Sequence, residues 1–399
     1  MTAHHPQRRL LSAGLAIAAS LLACLAFITA SGTARAAPLF GASADAPAVQ
    51  VEQSLDYLLD LVGDQRMAFQ PEKVRALLDF IAYQAKPNQE YEMKRRDGLN
   101  GACLALNIQA RLERILRYVY NPDIPTFTMY PTVVRRSSWR PGSEILTTRR
   151  HLWRMPANLT EPVVLRGEEF EEITPNVNSG GYYSYDLERL LILTPFENKA
   201  AFISISKQKG PSSVGKKGAA INGGKDWTFV YTREEGLTSG GVGWMDTFMY
   251  DSFSITVYIG LKPDRPLTRY GVFSWLKAGW AGINVIKSKH IYEGCQRAAH
   301  ELKRLMESTR LPGAEKLADK VEEVRSMSDA EMLRKLEPLS QALADMDESH
   351  PVLSEDEFAE ILEQGHYAEK LSREERASLL IKEYLKKMMG KPSFLDRER

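Results

Sequence analysis

Cysteine is nearly absent from this chain: only Cys24, Cys103 and Cys295 occur in 399 residues. So few thiols exclude a disulfide-built scaffold and a cysteine-rich zinc site. The metal-hydrolase pattern H-E-x-x-H is also missing. His300-Glu301 lacks a second histidine one turn on, and His290 with Glu293 lacks a third ligand. No serine sits in G-x-S-x-G, so the hydrolase elbow is absent. Neither charge dominates, with 52 Lys and Arg against 51 Asp and Glu, and nothing in that balance points to nucleic acid. Past residue 28 no apolar run is long enough to cross a bilayer. A cofactor loop is missing as well. Gly210-Pro211-Ser212-Ser213-Val214-Gly215-Lys216-Lys217 comes close to a phosphate loop, but Lys217 stands where a Ser or Thr is needed. No cofactor is expected.

Several features are present. Arg8 and Arg9 precede an apolar run over 10–28, and Ala34-Arg35-Ala36 supplies the small-x-small cleavage pattern. The run 1–36 therefore reads as a signal peptide cleaved after Ala36. The mature chain is expected to be secreted, to the periplasm or cell envelope. An uncleaved anchor is the bland alternative. A lipoprotein box at Leu21-Leu22-Ala23-Cys24 is disfavoured because the apolar run continues past Cys24. Cleavage removes Arg8, Arg9 and Arg35 and takes the formal charge from +1 to about −2.

The rest reads as α+β. Val51, Leu55, Leu58, Leu59 and Val62 recur at helical spacing, as do Val74, Leu77, Leu78 and Ile81 and then Leu112, Ile115, Leu116 and Val119. Over 126–276 the pattern changes to short β runs split by Gly and Pro, with 207–225 reading as a mobile loop. The clearest strand alternates Phe253, Ile255, Val257 and Ile259 with Ser254, Thr256 and Tyr258. A second strand follows over 269–276. A long helix then carries Ile291, Cys295, Ala298, Ala299, Leu302, Leu305 and Met306 on one stripe. Beyond Pro312-Gly313 the chain is helical and charged. Capping-box spacing occurs at Ser328/Glu331, Ser354/Glu357 and Ser372/Glu375, Pro338 is expected to interrupt a helix, and Gly390 to stop the last one. The expected division is 1–36, a helical segment 37–103, an α+β domain 104–311 and a helical region 312–399.

Candidate binding residues come from an echo. Arg135-Arg136-Ser137-Ser138-Trp139-Arg140 is repeated loosely by Arg149-Arg150-His151-Leu152-Trp153-Arg154. Arginine forks hold phosphate or carboxylate bidentately, and indoles offer apolar and cation–π faces. The combination suits an anionic lipid headgroup, an acidic glycan or a membrane surface, and the plain reading is two solvated strand faces. Glu168, Glu169, Glu171 and Glu172 read as a solvated acidic turn rather than a calcium site. Asp246 and Asp251 read as strand-end caps rather than a catalytic pair. The aromatics over 227–280 either fill a core or line an apolar cavity. Cys103 and Cys295 both fall on or beside apolar helical faces and are expected to stay free.

The order of helix, long antiparallel sheet and one long terminal helix resembles the helix-grip fold of START-type lipid-binding domains. The resemblance rests on Phe273-Ser274-Trp275-Leu276-Lys277-Ala278-Gly279-Trp280, on Asn284-Val285 and on the helix end at 302–306. It covers about 104–309 and implies a lipid or other hydrophobic ligand between sheet and helix, with no catalytic residue. The expected ligand set is Arg135, Arg136, Trp139, Arg140, Arg149, Arg150, Trp153, Arg154 and Trp280. The expected partners are a hydrophobic or anionic lipid-like ligand, a membrane surface touched peripherally, and a protein meeting the C-terminal helices; nucleic acid is not among them. Two alternatives stay open. One is an envelope hydrolase using His151 or His290 with Asp246 or Asp251. The other is a non-catalytic envelope scaffold.

Overall fold

The computed structural model describes residues 47–396 apart from 149–150, 176–178, 240–242, 263–264, 348–351 and 354–355. The expected signal peptide lies outside the described residues, as do Arg149, Arg150 and Ser354. The architecture is α+β, built on a nine-stranded antiparallel sheet. Its seven long strands are β1 (Asn100–Ile108), β2 (Val134–Trp139), β3 (Val163–Ile173), β4 (Ser184–Phe196), β5 (Lys199–Gln208), β6 (Thr247–Gly260) and β7 (Thr268–Trp280). Their spatial order is β1-β7-β6-β5-β4-β3-β2. Six consecutive strands thus form a meander, and the first strand pairs with the last. Short strands Tyr91–Glu92 and Ile283–Asn284 extend the β1 edge and the end of β7.

Both faces of this sheet are covered, by different parts of the chain. On the outer face, helix α1 (Val49–Gly63) and the helical turns Pro71–Val74, Arg75–Asp79 and Phe80–Gln84 bury Leu55, Leu58, Leu77 and Ile81 against Ile192, Ile203, Ile255, Val257, Phe273 and Trp275. The contact is close enough that a Cβ on Gly271 would overlap the Ile81 side chain. On the inner face lie α2 (Leu112–Val119) and α3 (Ser288–Glu307). They bury Ile115, Leu116, Ala299, Leu302, Leu305 and Met306 against Leu104, Leu106, Leu191, Phe202, Tyr258 and Tyr270. The apolar row of β6, Phe253 to Ile259, therefore packs under the N-terminal helices and not under α3. Because side chains alternate, the other row, which contains Ser254 and Thr256, belongs to the inner face, where α3 packs on β1 and β7 and its Cys295 reaches Ser274. Cys103 faces outward and Cys295 rides on α3 over the inner face, and both are free thiols.

The C-terminal helices are α4 (Ala314–Ser326), α5 (Asp329–Asp347), α6 (Asp356–Leu362) and α7 (Arg373–Met389). They pack on a second sheet of Ser179–Tyr182, Lys216–Ala220 and Phe229–Glu235. The expected mobile loop over 207–225 thus includes a strand, whose Lys217 is buried beside Glu357 at 3.0 Å. The expected interruption at Pro338 also does not occur. Helix α5 runs through it, with Leu336, Leu339 and Leu343 buried on both sides, so packing outweighs one lost hydrogen bond. Ser372 and Glu375 form the capping box, and Gly390 ends α7 in the left-handed region. Helix α7 is tied to the main sheet rather than hanging beyond it. Leu385 joins the inner-face cluster, and the Lys382 ammonium donates to the Val134 carbonyl at 2.8 Å. Among the described residues no helix is long and apolar enough to cross a membrane.

Candidate functional site

The strand registers set out the inner face row by row. One row runs Leu193, Phe202, Tyr258, Tyr270 and Leu106, and the next runs Leu165, Leu191, Ser204, Thr256, Val272 and Leu104. The third is different: Gly167, Arg189, Ser206, Ser254, Ser274 and Ala102. Large side chains fill the first row, whereas five of the six in the third are small. Interiors normally pack to crystal density, so a row of small residues under a helix leaves space unless something else enters it. Accessibility agrees with this. Ser254, Thr256 and Ser274 keep accessible surface, while the outward-facing Ile255, Val257 and Phe273 between them have none.

Polar groups converge around this serine row. The Ser206 and Ser254 hydroxyls are 2.8 Å apart, and Ser252 donates to Gln208 Oε1 at 2.9 Å. On the α3 side the Cys295 thiol meets the Ser274 hydroxyl, and burial pushes the thiol up to about 12. Toward the apolar end, the Tyr130 and Tyr258 hydroxyls are 3.2 Å apart, and the Tyr120 hydroxyl bonds Ser204 and Tyr258. Burial raises all three phenols. Toward the β3 end, Glu169 accepts from the Thr126 hydroxyl at 2.6 Å and lies 3.2 Å from Arg189 Nε. That ion pair is close but misaligned, so neither Glu169 Oε2 nor Arg189 Nε makes a hydrogen bond. One register step on, Glu171 stands opposite Tyr185, whose hydroxyl donates to it at a long 3.5 Å. Burial first, and then the charge of Glu169, hold the Glu171 carboxyl up at about 7.

The expected binding residues are distributed otherwise. On β2, a period of two sends Trp139 to the inner face and Arg136 and Arg140 to the outer one. Trp139 accordingly packs beside the inner cluster, with the Arg189 guanidinium 5.8 Å from its ring centroid. Arg136 forks onto Glu172 at 3.1 and 3.0 Å, and Arg140 pairs with Asp186 at 2.7 Å. Both lie over the Phe170 ring. They line a 430 Å³ groove with Arg325 and Arg373, and Arg373 faces Asp329, so carboxylates already balance three of the four guanidiniums. Arg135 sits at a bulge in the pairing with β3 and reaches toward α7 and the second sheet. It is 5% exposed, bonds Glu172 and Glu375 at 2.7 Å each, and lies 3.7 Å from the Tyr231 ring centroid. It is a structural group. The echoed segment is not a second strand: Leu152–Arg154 is a single 3-10 turn, with Trp153 stacked on His151 and Arg154 exposed. Trp280 closes β7, with four strands between it and β2 in the sheet order. The seven of these residues that are described do not form one site.

No protein-family model and no curated protein matches this chain. Its chemistry must be read from its own side chains. The four glutamates expected in a solvated turn are on strand β3, where alternation sends Glu169 and Glu171 inward and Glu168 and Glu172 outward. Of the residues considered for hydrolysis, His290 accepts from the Lys287 amide at 3.3 Å as a helix-start contact, and His151 stacks on Trp153. Asp251 is half-buried, which raises its carboxyl. Among the described residues no group of three His, Cys, Asp or Glu is placed to hold a metal. Sequence reading missed the inner-face set of Glu169, Glu171, Tyr185, Arg189, Ser206 and Ser254. The signal was present as serines at alternate positions of β5 and β6, where a one-sided strand would otherwise carry apolar residues.

Proposed function

We propose that this chain is an exported, non-catalytic binding or transfer protein that holds a lipid-like ligand between its sheet and α3. On this reading the fold is a helix-grip variant, with the N-terminal helices as an added outer layer. The strand order, in which β1 pairs with β7 before the long helix, supports that assignment. The observation that carries the functional reading is the accessible serine row. Ser254, Thr256 and Ser274 keep accessible surface on a face already roofed by α2 and α3. A ligand there meets the Ser254 hydroxyl, itself bonded to Ser206, and the same face carries Leu165 and Trp139 as partly exposed apolar side chains. That mixed lining suits an amphiphile rather than a pure hydrocarbon. The two helix-side clusters leave α3 as the wall that would yield on entry, since its N-terminal half buries only Ile291. Native mass spectrometry of the full chain, incubated with liposomes and re-isolated, tests the reading. One lipid-sized adduct per chain is expected. Bare protein from every lipid mixture, with no lipid removed from the vesicles, refutes it.

A further inference from the structure

We propose that the inner-face site selects ligands whose polar end is a protonated amine, held by Glu171 beside the Tyr130 and Tyr185 rings. The inference rests on the binding reading above and adds the chemistry of the ligand's head. Only three charged side chains project from the seven strands onto this face: Glu169, Glu171 and Arg189. Arg189 is committed to Glu169 at 3.2 Å. Glu169 is 1% exposed and has one oxygen spoken for by Thr126. Among the described residues Glu171 forms no salt bridge of its own, and its one hydrogen bond is the long contact from Tyr185. The sum is one net negative charge on this face, and a carboxylate partly withdrawn from water is disfavoured unless it is paired or protonated.

Burial and the charge of Glu169 raise the Glu171 carboxyl, so its ionised form is disfavoured without a ligand. An arriving ammonium would stabilise that ionised form through a charge-assisted hydrogen bond. Aromatic faces nearby favour the same sign of charge, since ring quadrupoles attract cations. Tyr130 is close enough for Glu171 and Arg189 to influence its phenol, and Tyr185 stands directly across from Glu171. A carboxylate or phosphate head would instead meet Glu169 and Glu171 together, with one guanidinium already taken.

Three probes with one tail isolate the head: dodecylamine, dodecanol and dodecanoate, each titrated calorimetrically into the full chain at pH 7.5 and below its micelle concentration. Dodecylamine is expected to bind at least about thirtyfold more tightly than dodecanoate, the size of effect that follows from adding or losing one desolvated charge partner. Glu171→Gln should lower dodecylamine affinity by about the same factor and leave dodecanol within about threefold. The wild-type comparison of heads needs no substitution, so it stands even where the variant folds poorly. Equal binding of amine and carboxylate, or an unchanged amine affinity in Glu171→Gln, overturns the inference while dodecanol binding keeps the binding reading. Loss of all three overturns both.

Discussion

Arg135→Met removes the guanidinium that links β2 to α7, and the structure allows its cost to be estimated. Arg135 bonds Glu172 on the sheet and Glu375 at the start of α7, both at 2.7 Å, and all three side chains are at most 15% exposed. Breaking a buried pair by removing one partner costs about 3–5 kcal/mol, because the other charge stays behind. Glu172 keeps the fork from Arg136, so the lower end, about 3 kcal/mol, applies. Unfolding entropy of about 2.1 cal/mol/K per residue amounts to roughly 0.8 kcal/mol/K for a chain of this size, which converts to a Tm loss of about 4 °C. The loss should also depend on pH. Burial alone would raise the Glu375 carboxyl, but Arg135 and the Ser372 backbone together hold it below the ordinary value. A depressed carboxylate contributes stability that is present above the unfolded pKa and lost as pH falls through the folded one. The gap between wild type and Arg135→Met should therefore be full at pH 7 and narrow below about pH 4. Urea unfolding followed by circular dichroism at pH 7 and pH 3.5 measures both. Arg140→Ala is the control, since its pair with Asp186 is 42% exposed on each side and worth at most about 1 kcal/mol. If Arg135→Met is as stable as Arg140→Ala at pH 7, the claim that Arg135 is structural is wrong.

Lys386 is fully buried and 2.6 Å from Glu383, which also accepts from Ser393 and the Phe394 amide. Lys386→Met should cost about 3 kcal/mol or more, and Lys386→Met with Glu383→Gln should recover part of it, as a double-mutant cycle by urea unfolding would reveal. Lys382 is pulled down to about 7 by burial and by Arg135. Because the unfolded chain then binds the extra proton between about pH 7 and 10, wild-type stability should gain an upward slope across that window. Lys382→Met should remove this slope in the pH dependence of the urea midpoint. Gly271→Ala pushes a methyl into Ile81 and should cost about 1–3 kcal/mol, and trimming with Ile81→Val should relieve it. No relief would mean that the N-terminal helices do not lie on that face.

Elements with a strong period were legible. The alternation from Phe253 to Ile259, the stripe from Ile291 to Met306 and the cap at Ser372 each specify local geometry through one repeated interaction. Which layer covers which face was not legible. Phe253 and Ile255 are equally apolar under either set of helices, and only the three-dimensional path of residues 49–84 decides between them. The arginine–tryptophan echo misled for a related reason. Residues three apart share a face on a helix but oppose each other on a strand, so Arg136 and Trp139 cannot address one ligand. Glu169 and Glu171 were hidden because four acids in five residues look solvated until alternation sends two of them inward.

Ser254 lies at the middle of the serine row, so the most direct test of an accessible inner face is Ser254→Phe with dodecanol as the probe. A ring placed in existing space should change stability by no more than about 1 kcal/mol and occupy the room a ligand would use, whereas a ring forced into a packed core costs about 1–3 kcal/mol. Calorimetric titration and urea unfolding on the same preparations give both numbers. The account predicts that the wild type takes up one dodecanol and that Ser254→Phe stays folded and takes up none. Destabilisation by several kcal/mol in a variant of a wild type that never bound dodecanol would contradict it.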